Sequence, residues 1–153
     1  MDIKIQKKPA FTVEGVLLEA IDNSQCPSAW EQLYANHSIE SLESLGSGQF
    51  FGVCSDVKEC EIINYMAAYD VADKAKAEEL GLSIKEIPEA EYAIVPVKGA
   101  IPASIHYAWK YVLEVFFPET GYRHSGAPDF EVYTEGDMYS PDYQMELWIP
   151  VVK

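Results

Sequence analysis

The chain is written twice. Trp30 and Trp109 lie 79 positions apart, as do Phe51 and Phe130; Phe11 and Tyr92 are 81 apart, and Met66 and Glu146 are 80 apart. The stretch from Phe51 to Asp56 shares its order of apolar and polar residues with the stretch that starts at Phe130. A nearly constant offset at four places, 79 to 81 residues, argues for an internal duplication. A length of 153 residues is one ordinary domain, so the expected organisation is a single domain, 1–153, with repeat halves of about 1–80 and 81–153.

Each half reads as strand, helix, strand, strand. In the first, Ala10 to Ala20 alternates and is rich in Val and Leu, which predicts a strand. Ser28 to about Leu45 carries Trp30, Leu33, Tyr34 and His37 at helical spacing, with Ser28 and Glu31 as a capping box. Gly46, Ser47 and Gly48 end it. Gln49–Asp56 and Glu61–Val71 then predict a hairpin turning at 57–60. In the second half, Tyr92–Lys98 is a strand, and Pro102 to about Phe117 is a helix. That helix carries Ile105, Trp109, Val112, Leu113 and Phe116 on one stripe and stops before Pro118. Phe130–Thr134 and Met145–Val152 are the last strands, and 72–88, whose start from Asp73 to Gly81 could hold a short helix, reads by preference as a charged connector. The class is α+β: duplicated βαββ units with pseudo-two-fold symmetry, antiparallel sheets, two main helices and a central cleft, the usual place for a ligand.

Charge narrows the function. Lys plus Arg number 11 against 25 Asp plus Glu, a net charge of −14, which repels phosphate backbones and anionic bilayers. The expectation is therefore no direct nucleic acid and no membrane. The start, Met1 to Lys8, has no apolar leader core, and no apolar run approaches the roughly 20 residues of a span. Cys26, Cys54 and Cys60 are odd in number, which favours reduced thiols and a cytoplasmic setting. Cys54 and Cys60 could meet across the hairpin, although small core side chains are the plainer reading. His37, His106 and His124 show no metal-ligand spacing, and Gly46 to Gly48 fits no phosphate or dinucleotide loop. No cofactor is expected. Ten Tyr, six Phe and three Trp exceed what a small core needs and suggest an aromatic pocket.

Pro128 to Tyr133, followed by Met145-Glu146-Leu147-Trp148-Ile149-Pro150-Val151, resembles the GyrI-like small-molecule-binding domain, which is also the effector-binding domain of AraC-type and MerR-type regulators. Ile87-Pro88, Tyr92-Ala93 before Gly99, Ala108-Trp109 and Gly121-Tyr122 add to the likeness, which covers essentially the whole chain. The resemblance implies two βαββ repeats and a cleft for cationic or amphipathic aromatic compounds. An acid in the last strand meets the cation, and here that position is Glu146. The first strand is expected within about ten residues of Met1, so the likeness is to a standalone version, and any transcriptional role would run through a separate regulator chain.

Alternation puts Glu146 and Trp148 on one strand face and Leu147 and Ile149 on the other. A carboxylate beside an indole loses hydration, and a cationic guest relieves that cost. A pair of charges at 4 Å is worth about 4 kcal/mol at an effective dielectric of 20, and a ring face adds ~0.5–2 kcal/mol for a cation. The ligand-binding set expected is therefore Glu146, Trp148, Trp109, Tyr65, Met66, Tyr107, Tyr133, Phe51 and Trp30. Tyr69 is a further ring candidate, and Met66 supplies a soft wall. Glu131, Glu135, Asp137 and Asp142 read as a charged loop that steers cations. Two other functions compete with drug or effector binding. One, which the resemblance allows because some standalone relatives are of this kind, is a hydrolase of strained electrophilic molecules, with Glu146 as general base and Tyr65 or Tyr133 as proton donor. The other is an inhibitor that docks on a protein partner.

Overall fold

A computed structural model describes residues 2–58 and 62–153. The chain runs β1 (Lys4–Lys8), β2 (Phe11–Asp22), α1 (Cys26–Asn36), α2 (Ile39–Glu43), β3 (Phe50–Lys58), β4 (Ile62–Val71), α3 (Lys74–Leu80), β5 (Ser83–Ile87) and β6 (Ala90–Lys98). It continues with α4 (Ala103–Tyr111), a π-helical turn at Val112–Phe116, α5 (Phe117–Thr120), β7 (Arg123–His124), β8 (Asp129–Val132) and β9 (Gln144–Val152). The class is α+β with antiparallel pairing throughout. The expected strand–helix–strand–strand order recurs as β2–α1–β3–β4 and β6–α4–β8–β9. No helix among the described residues is long and apolar enough to cross a membrane.

Two compact units emerge: residues 9–89, and residues 90–153 together with the first eight. In unit 9–89 the strand order is β3-β4-β2-β5. Period-two alternation gives this sheet two faces. One carries Tyr65, Ala67 and Tyr69 of β4 against Ala29 and Leu33 of α1, Leu42 of α2 and Ala77 of α3. The opposite face carries Val13, Phe51, Val53, Met66 and Ala68, also buried. In the other unit β1 pairs with β6, β6 with β9, and β9 with β8 and β7. The N-terminal strand, which the sequence places beside the first half, thus joins the second.

Four local expectations need correction. The first helix starts at Cys26 rather than Ser28, because Pro27 fits the first turn, where its missing N–H costs nothing. That helix also breaks at His37, and Ser38 caps a second one by accepting from the Ser41 N–H at 3.1 Å. The charged connector holds α3, capped by Asp73 accepting from the Lys76 N–H and closed by left-handed Gly81; β5 follows as an edge strand on β2. The second long helix continues past Pro118 to Thr120. The wide π turn, with the Phe117 N–H bonded to the Val112 carbonyl, absorbs the register where the proline has no N–H to give. The hairpin between β3 and β4 forms as expected. Glu59, Cys60 and Glu61, and with them the possible Cys54–Cys60 contact, lie outside the described residues.

Strands β2 and β4 approach closely at Gly15, where an added Cβ would sit 1.7 Å from the Ala67 carbonyl oxygen and 2.8 Å from the Ala68 Cα. Both neighbours are backbone and cannot turn aside. Gly15→Ala is therefore expected to cost about 3 kcal/mol or more, read as a fall in the urea midpoint, or to prevent folding.

Candidate functional site

The final strand places Glu146 and Trp148 on one face, as alternation requires, beside Phe130 and Val132 of β8. Tyr92, Phe130 and Trp148 form a ring cluster with centroids 5.9–6.2 Å apart. Glu146 itself is exposed, and its Oε1 accepts from the Trp148 indole N–H at 3.1 Å. The expectation of a carboxylate shielded there by rings is not met. Edge strand β1 places the Lys8 ammonium 4.4 Å from the Trp148 ring centroid, so that indole face already meets a cation of the chain's own.

The other expected site residues divide. In the unit that contains the C-terminus, Tyr107 is 65 % exposed on α4. Buried Tyr133 donates to Glu131 Oε1 at 2.8 Å, and Trp109 stacks on His124, whose Nε2 meets Asp129 at 3.2 Å. The Gly126 N–H donates to His124 Nδ1 at 2.9 Å, so the proton of the neutral ring sits on Nε2, facing Asp129. In unit 9–89, Phe51 and Met66 are buried on the face away from the helices, and Phe51 contacts Phe11. Trp30 and Tyr65 lie together on the helix-facing side, where the indole N–H donates to the Tyr65 hydroxyl at 2.9 Å.

That helix-facing side holds a dense aromatic group. Trp30 stacks on Tyr34 at 5.9 Å and meets Phe50 edge-on at 5.9 Å; Phe50 in turn lies 5.6 Å from Tyr69. The Tyr34 and Tyr69 hydroxyls hydrogen bond at 2.7 Å. Tyr34 reaches water, being 39 % exposed, while Tyr69 is buried. Burial first, and the bond to Tyr34 next, push the Tyr69 hydroxyl far above the usual phenol range, so it stays neutral.

Sequence reasoning passed over the acid beside these rings. Glu14 sits mid-β2, directly opposite Tyr69 on β4 and Ile84 on β5, so it shares the Tyr69 face. It is 0 % exposed. Neither carboxylate oxygen has a hydrogen-bond partner among the described residues. Loss of hydration pushes its pKa up to about 7. The signal was present: Glu14 is the one charged residue in the run from Phe11 to Leu18, and alternation groups it with Thr12, Val16 and Leu18. A Glu at a core position of a central strand is costly without a reason.

The sequence model of the GyrI-like small molecule binding domain matches residues 1–152. The structure of SAV2435 bound to tetraphenylphosphonium is similar, with a TM-score of 0.80 at 22% identity over 99% of this chain and 94% of that one. The EcmrR C-terminal domain gives 0.71 at 20% identity, covering 99% and 98%. EcmrR in its DNA complex gives 0.69 at 21% identity; this chain is covered to 99% and spans 57% of that longer one. No curated protein matches the sequence.

The buried carboxylate leaves a signature in stability. Its folded pKa, about 7, exceeds the ordinary 4.5, so the folded state holds a proton that the unfolded chain has released. Stability therefore falls as pH rises from about 4.5 to 7 and then levels off. Glu14→Gln removes the charge. It is expected to change little at pH 5 and to stabilise the protein at pH 8 by roughly 3 kcal/mol at most, as read by urea melts at the two pH values.

Proposed function

The chain belongs to the GyrI-like small molecule binding domain family, and from that membership we propose that it captures a lipophilic aromatic cation, with Glu14 as counter-charge and Trp30, Phe50, Tyr65 and Tyr69 as ring walls. The observation that carries this is the carboxylate itself: fully buried, without a hydrogen-bond partner among the described residues, and beside the ring group. A charge in that position costs several kcal/mol after relaxation, and a guest of opposite sign recovers it. The rings supply apolar contact and cation–π attraction. Tyr34, exposed at one end and bonded to buried Tyr69 at the other, marks where a guest enters. The tetraphenylphosphonium complex of SAV2435 supports the ligand class. Likeness to the EcmrR C-terminal domain, and to EcmrR in its complex with DNA, supports a sensing role in the cytoplasm. Glu146, exposed and bonded to Trp148, stands in a high dielectric, where a carboxylate holds a cation weakly.

Because only ionised Glu14 attracts a cation, binding releases a proton below pH 7 and affinity falls roughly tenfold per pH unit there. Titration of tryptophan fluorescence with tetraphenylphosphonium at pH 8 and pH 5.5 measures this. Micromolar affinity at pH 8 is expected, weakened at least about tenfold by Glu14→Gln and no more than about threefold by Glu146→Gln. Binding that ignores pH and survives Glu14→Gln overturns the reading; loss on Glu146→Gln alone returns the counter-charge to the last strand.

A further inference from the structure

We infer that the Glu14 site selects a protonated amine bearing N–H donors, a primary or secondary arylalkylammonium, over a fully substituted cation of similar size. This rests on the counter-charge reading above and names the ligand class within it.

Charge is only half of what the site lacks. Glu14 Oε1 and Oε2 are both buried and both without a hydrogen-bond partner among the described residues, and an ionised carboxylate has about four lone-pair positions to fill. A quaternary ammonium or phosphonium answers the charge and none of the hydrogen bonds, because its substituents cover the charged atom. They also hold that atom well beyond hydrogen-bond distance, and attraction falls as the inverse of separation. An N–H donor approaches a carboxylate to about 2.8 Å. The strands offer Glu14 no substitute donor: its cross-strand neighbours are Tyr69, whose hydroxyl is engaged with Tyr34, and Ile84. The Tyr34–Tyr69 pair also sits on the same face as Glu14, with hydroxyl lone pairs able to accept from a cation. The helix-facing surface thus presents acceptors and rings, the complement of a donor-bearing aromatic cation.

The preference opposes the trend in bulk solvent. Each methyl added to an ammonium makes it more apolar and should tighten binding to a merely greasy, acidic pocket. The two explanations therefore predict opposite orders for a methylation series.

The test uses the full chain at pH 8 and three probes: 4-phenylbenzylamine, its N-methyl derivative and its N,N,N-trimethyl derivative. Calorimetry or tryptophan quenching gives Kd for the wild type and for Glu14→Gln, with melting curves run on both. The expected order is primary and secondary ahead of trimethyl by roughly ten- to hundredfold, collapsing to less than about threefold in Glu14→Gln. A trimethyl probe that binds as tightly as the primary amine, with all three lost in Glu14→Gln, overturns the donor preference and leaves the counter-charge standing. Probes that bind equally well to both proteins overturn the counter-charge and the preference together.

Discussion

One uncompensated carboxylate sets the terms for unit 9–89. Glu14 is held in the middle of a sheet whose helix-facing side is otherwise apolar and aromatic. The fold tolerates it because the elements around it are over-determined. Strand β2 pairs on both sides, with β4 and with β5, so the backbone at Glu14 has no freedom to rotate its side chain outward. A one-residue slip would place Glu14 on the other face but would also turn Val16 and Leu18 away from the helices. Large buried side chains such as Leu33, Leu42 and Tyr65 each contribute about 1.5–3 kcal/mol, enough together to offset one buried acid, which can also take up a proton.

Duplication explains where the acids stand. By the 81-residue offset, Glu14 corresponds to Val95, fully buried in β6; by the 80-residue offset, Glu146 corresponds to Met66, buried in β4. Each half thus carries an acid where the other keeps an apolar residue. Symmetric packing would be cheaper with apolar residues at all four positions. The two departures have opposite outcomes: one acid is sealed in without a hydrogen-bond partner among the described residues, and the other is open to water and bonded to Trp148.

Much of this fold was legible because its signals are periodic. The paired Trp and Phe offsets fixed two βαββ units, and alternation put Glu146 with Trp148 on one face. What escaped were features decided by single residues: Pro27 shifting a helix start, Ser38 and Asp73 capping short helices, and a π turn carrying a helix past Pro118. The site was less legible. Trp30 and Tyr65 were recognised as ring candidates, and the structure brings them together. Phe51 and Met66 fall on the opposite face, since even and odd positions of a strand cannot share one. Glu146 stands in a conspicuous motif, whereas Glu14 lies in a plain apolar run flanked by β5, a strand that the charged composition of 72–88 conceals.

The difference in weight between the two acids follows from dielectric. A cation 4 Å from a carboxylate gains about 1 kcal/mol in water and about 4 kcal/mol at an effective dielectric of 20. Glu146 sits at the weak end of that range, and its indole neighbour already meets Lys8. A guest there would compete both with solvent and with a tethered lysine. At Glu14 the competitor is only a proton, and above pH 7 even that is weakly held. Under the proposed reading, depth converts the same functional group from a surface charge into a recognition element, and the stability forgone at neutral pH becomes free energy that a suitable cation would recover on binding.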